Sequence, residues 1–178
     1  FVLKSHQFPT SAVAQILNRM YPGIKVVGSI TLNAEVGNLN PSAIEAAADL
    51  DTKMIWMPTY SAEYSFPRLC SHKYLSANYV TRITSNPGVG ITVKGGQLRE
   101  EVYDILDLAV KYEMVLASGH LSPTESITLF SEAKSRGLER MIATHPHGIA
   151  TIEEQQEMAE RAEVLKHKVL RKVQVRSR

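Results

Sequence analysis

Short runs of apolar, β-branched residues alternate along this chain with stretches whose apolar residues recur at helical spacing, and no other feature narrows the fold as far. The alternation is that of strand–helix units, which line up as a parallel sheet with helices packed on it. The spacing predicts a first, buried strand over residues 1–5 and a helix over about 10–20, ended by Tyr21-Pro22-Gly23. A second strand over 25–32 leads to a helix that opens at Asn40-Pro41, where Asn can cap and Pro suits the first turn. A third strand over 53–57 stops at Pro58. Leu98, Val102, Ile105, Leu106, Ala109 and Tyr112 then lie on one face of an amphipathic helix. A fourth strand is predicted over 114–117 and a fifth over 140–143. Between them, Ser122-Pro123-Thr124-Glu125 reads as a capping box and Gly137 as the helix end. Thr151-Ile152-Glu153-Glu154 reads as a second capping box.

Five such units without an internal linker predict one α/β domain. Periodicity leaves an open doubly wound sheet and a closed barrel both standing, because they share the same unit. Length separates a complete barrel from this chain: 178 residues fall short of the roughly 250 that eight units occupy. With 44% apolar and 21% charged residues, the composition excludes disordered, collagenous and coiled-coil classes. No apolar run reaches the roughly 18 residues of a membrane span, so no membrane partner is expected and the chain reads as cytoplasmic. Cys70 is the single cysteine, which excludes an internal disulfide and a cysteine-based zinc cluster. A metal would have to rest on His, Asp, Glu or Lys.

The net charge of +2 conceals a split: residues 161–178 hold seven basic groups and one acid, whereas residues 1–160 are at −4. The basic character belongs to the tail. The chain also opens Phe1-Val2-Leu3 inside what reads as a buried strand, the start expected of a fragment or a processed chain.

In parallel α/β domains chemistry gathers at the carboxyl ends of the strands. The residues there are His6, Asn33, Pro58-Thr59, His120 and His145. Each histidine alone reads as a surface or hydrogen-bonded residue, but three at the same offset of three strands suit a divalent metal and its activated water. No Asp or Glu stands at a strand end. Lys4 lies two residues before His6 and in a strand would point to the same side. It reads as a substrate-binding cation, a Schiff-base or general-base lysine, a carbamylated metal ligand, or an exposed lysine. Ser122 reads first as a helix cap and second as part of a helix start that could hold an anionic substrate group. His147 reads as a second ligand or a solvated loop residue. Residues 60–87, with Tyr60, Tyr64, Tyr74, Tyr79, Arg68 and His72, form a long loop expected as a lid, a specificity loop, a dimer contact or an insertion. Residues 91–97 read as a short hairpin rim. The glycine spacings of Walker and dinucleotide loops are both absent.

Lys4-Ser5-His6, Leu32-Asn33 with Val36-Gly37 and Leu39-Asn40-Pro41, Trp56-Met57-Pro58-Thr59, Ser118-Gly119-His120-Leu121-Ser122 and Thr144-His145-Pro146 occur in register. In that order they resemble an amidohydrolase-related family grouped with the metal-dependent hydrolase superfamily, near the amidohydrolases and PHP phosphoesterases. The resemblance spans residues 1–160 and implies an incomplete, TIM-like β/α barrel of about five units. It further implies a divalent metal (Zn, Mn or Fe) and hydrolysis of an amide, ester or phosphoester. His6, His120 and His145 would be the metal ligands, and Lys4, His120 and His145 the catalytic set. Asn33, Trp56 and Ser122 would meet the substrate, with Pro58 shaping the pocket.

This sequence departs from that pattern in lacking a His-x-His first strand. It also departs at Asn38 and Asp51, where glycine is expected, and after Glu160, where a glycine turn and a carboxylate-bearing strand should follow. Residues 161–178 are therefore expected as a basic helix or tail. Two other functions compete: a catalytically incomplete homologue that binds a small ligand or a partner, and a phosphate-binding tail. The tail lacks the interleaved aromatics of a single-strand platform, so nucleic acid is not expected beyond that exception. A homo-oligomer is left open.

Overall fold

A computed structural model describes residues 1–65, 88–145 and position 156 of the chain. Its described elements run α1 (Ser11–Met20), β1 (Ser29–Thr31), a 3-10 turn (Ala34–Val36), α2 (Pro41–Ala48) and β2 (Met54–Trp56), followed by α3 (Glu100–Lys111), β3 (Val115–Ala117), α4 (Pro123–Ser135) and β4 (Met141–Ile142). The four strands form one parallel sheet in the order β1-β2-β3-β4. Register is set by Ser29 opposite Met54, Met54 opposite Val115 and Leu116 opposite Met141. The fold is thus α/β with a parallel sheet, and among the described strands the order never reverses.

Local chemistry explains where helices begin. Asn40 accepts a hydrogen bond from the Ala43 backbone N at 3.2 Å, with Pro41 in the first turn of α2. Ser122 and Glu125 form the full reciprocal capping box of α4, and Gly137, at φ +88°, follows the end of that helix. Thr10 behaves differently. It precedes α1 without capping it, and its hydroxyl instead donates to the Leu3 carbonyl at 2.7 Å while accepting from the Ser29 N at 2.9 Å. In this way it ties the opening segment to β1.

The apolar face anticipated for α3 is buried as spaced: Val102, Ile105, Leu106 and Ala109 lie in the core with Ile30, Leu32, Ile55, Met57, Leu116 and Leu129. The glycine turn at 95–96 joins an antiparallel bridge between Thr92 and Leu98, the expected hairpin rim.

One element differs from expectation. Residues 1–5 form no strand and are not buried: Phe1 is 67% exposed, and the segment contributes one parallel bridge, Val2 with Val27. The Leu3 N donates to the Val27 carbonyl and the Val27 N to the Phe1 carbonyl, both at 2.9 Å. Two backbone bonds fix the position of a segment but do not build a ladder. The described sheet therefore has four strands, not five. Two anticipated glycine positions prove meaningful, since Asn38 and Asp51 adopt φ +59° and +60°. In that left-handed region a side chain crowds its own backbone and glycine does not. The second capping box, His147, residues 66–87 and the basic tail lie outside the described residues.

Candidate functional site

The carboxyl ends of the strands bring Lys4, His6, His120 and His145 into one electrostatic neighbourhood. His120 and His145 face each other with ring centroids 5.9 Å apart and planes tilted by 58°. Burial, followed by the nearby Lys4, His145 and His6, pushes His120 down to about 4, so its imidazole is neutral near pH 7. His6 is lowered as well, first by burial and then by Lys4, while Glu35 acts in the opposite direction. The Lys4 amine is lowered by burial and lies 4.4 Å over the Trp56 ring. The sequence placed Lys4 beside His6 by strand alternation. They do share the site, but the segment carrying them is not a strand.

His6 is held by a hydrogen-bond hub. Its Nδ1 lies 2.9 Å from the Thr59 hydroxyl, either group donating according to the tautomer. Asn33, fully buried, donates from Nδ2 to the His6 carbonyl at 3.0 Å and to Thr59 Oγ1 at 2.8 Å. Its Oδ1 accepts from the Thr59 N at 2.8 Å. Asn33 spends both ends of its amide inside the protein, and in doing so positions His6. Tyr60 completes the surround, its ring 5.5 Å from His6. The sequence placed Asn33 and Thr59 at strand ends but did not single out Thr59 as the hub, because its partners lie 26 and 53 residues away in the chain.

His120 is positioned by backbone. Gly119 has φ +62°, and a Cβ there would lie 2.2 Å from the Met57 carbonyl oxygen and 2.5 Å from that of Pro58. Only glycine lets β3 pass that close to the end of β2. The His120 N then donates to the Pro58 carbonyl at 2.9 Å, and the Gly119 N to the Thr144 hydroxyl at 3.1 Å. The Thr144 N returns a bond to the Ser118 hydroxyl at 3.0 Å. His145 follows at φ +46°, exposed and in the left-handed region. Thr144 and Ser118, also missed by the sequence reading, lock the ends of β3 and β4 together.

Ser122 serves as a cap. Its hydroxyl donates to Glu125 Oε2 at 2.9 Å and accepts from the Glu125 N at 3.2 Å. The Glu125 carboxylate also takes the Ser122 N and the Ile91 N, so the start of α4 already has its anion. Trp56 stands at the site with a buried Nε1–H that finds no hydrogen-bond partner among the described residues.

The donor set does not by itself fit a catalytic metal centre. Such centres use three protein ligands, whereas among the described residues no three His, Cys, Asp or Glu side chains gather closely enough to hold an ion. His120 and His145 make a pair; His6 is directed to Thr59. Also among the described residues, no helix is long and apolar enough to cross a membrane.

A family of unknown function, DUF6282, matches residues 1–166. No curated protein and no solved structure matches the chain.

Proposed function

This chain belongs to DUF6282, a family of unknown function, and from that premise we propose that it is a hydrolase of a small amide, ester or phosphoester. The observation that supports it is the convergence of three imidazoles and one amine, His120 and His145 from beyond the ends of β3 and β4 and Lys4 and His6 from the opening segment, in surroundings that keep His120 unprotonated. A neutral, partly buried imidazole can take a proton from an attacking water. Lys4, with no carboxylate partner among the described residues, can meet the charge that develops on the bond being broken. The unreversed strand order supports an incomplete barrel of the TIM-like kind as the scaffold, which the resemblance to amidohydrolase-related proteins also implies. The same resemblance implies a metal, and the described donors do not supply its ligands. No step here is assigned to one.

The test is turnover of amide, ester and phosphoester panels by the chelator-treated protein and by His120→Gln. The expected result is hydrolysis in one panel that falls by about 100-fold or more in the variant, within the usual range for losing a general base. Equal rates in the two proteins would overturn the proposal. A second reading, a binding protein without turnover, is favoured by one observation: among the described residues no carboxylate acts on Lys4 or His120. Saturable ligand binding with no hydrolysis in any panel would establish it.

A further inference from the structure

Among the described residues, the groups that act on His120 are all nitrogen groups: Lys4, His145 and His6. Lys4 is half-buried with no carboxylate partner among the described residues, and it rests on the face of Trp56 at 4.4 Å. The same indole has its Nε1–H buried without an acceptor among the described residues. A buried donor without an acceptor is destabilising, and a partly desolvated ammonium held against a ring face forgoes a stronger ion pair. Two donors on adjoining groups thus lack the same kind of partner. Among the described residues the Glu35 carboxylate acts on His6, and burial alone accounts for the lowering of Lys4. His120 and His145 add lone pairs and dipoles on the other side of the cluster but no negative charge.

We propose that Lys4 and Trp56 form a recognition subsite for an oxyanion, the carboxylate or phosphate group of a small-molecule ligand. On binding, the anion draws the Lys4 ammonium from the ring face into an ion pair and gives the indole N–H its acceptor. This subsite rests on the strand-end site proposed above and names the class of molecule that site takes: one bearing a negatively charged oxygen group close to the reacting bond. Of the roles that its sequence position left open, the subsite gives Lys4 that of a substrate-binding cation, beside its part in meeting the charge that develops at the neighbouring bond.

Trp56 is the only tryptophan in the chain, so its fluorescence reports on the subsite directly. The experiment titrates the whole protein separately with sodium phosphate and with sodium acetate, using sodium chloride at matched ionic strength as control. The expected result is a saturable change in emission with at least one of the two oxyanions and none with chloride. Which oxyanion acts distinguishes a phosphate from a carboxylate ligand. Lys4→Met, with its fold checked by circular dichroism, should weaken that binding at least 10-fold, and Lys4→Arg should restore most of it. Lack of a saturable response to either oxyanion, an equal response to chloride, or Lys4→Met binding within twofold of the parent would overturn the subsite. Oxyanion binding without turnover would overturn the hydrolase reading alone. Turnover of an uncharged substrate with no oxyanion binding would overturn the subsite alone.

Discussion

His6 and His120 reach the same site by opposite means. His6 comes from a segment with almost no sheet pairing and is fixed by side chains: Thr59 holds its ring and Asn33 its carbonyl. His120 makes no side-chain hydrogen bond among the described residues. It is fixed by backbone, through a glycine pressed against β2 and a carbonyl of Pro58 that receives its N–H. A ring held by hydrogen bonds has one nitrogen already committed. A ring placed by its backbone keeps both nitrogens available, and this is the reason to assign the chemistry to His120 and the support role to the His6 half.

The comparison can be broken most forcefully at Gly119. Gly119→Ala should cost about 3 kcal/mol or more in urea denaturation, because a methyl group would overlap two backbone carbonyl oxygens at an already left-handed φ. A loss under about 1 kcal/mol would mean that the β2–β3 approach is not what positions His120.

Next in size is the pH response of His120. Its folded value lies below its ordinary one, so as pH falls the unfolded chain takes up a proton first. The stabilising contribution is complete above about pH 6.5 and is lost as pH falls from there to about 4, by up to about 3 kcal/mol. Denaturation midpoints at pH 7 and pH 4.5 should therefore converge when His120→Gln replaces the parent. An unchanged pH dependence would place His120 in solvent.

The smallest of the three effects tests the other half. Thr59→Val removes a hydroxyl that serves both His6 and the buried Asn33 amide, and should cost about 1–3 kcal/mol. Because His120 depends on backbone, its titration followed by NMR should move little in this variant. A large movement would show that the two halves are one network.

Much of this was legible in the residues because the responsible forces are local. Asn40-Pro41 and the Ser122–Glu125 box start helices through contacts within four residues, so their spacing was sufficient. The glycines expected at 38 and 51 correspond to positions where the backbone is left-handed. The strand-end rule named His120 and His145, which do follow β3 and β4; it also named His6, with Lys4 placed beside it by alternation, although the segment that carries them is not a strand. What failed was non-local. Residues 1–5 have the composition of a buried strand, but whether such a run becomes one depends on what lies on both sides of it. Ser122 could be read as a cap or as a ligand-binding group until Glu125 was seen to take up the available donors. Thr59 was one polar residue among several until the β1 and β2 ends brought it between Asn33 and His6.

The sequence by itself determined the parallel α/β class, the helix starts and the strand-end positions that could carry chemistry, since periodicity and capping act over a few residues. Only the tertiary structure decided which of those residues meet and in what state. The depressed protonation of His120, the commitment of Asn33 to support and the shared want of an acceptor at Lys4 and Trp56 all arise from burial and from neighbours distant in the chain. Those contacts exist only once the sheet has closed ranks.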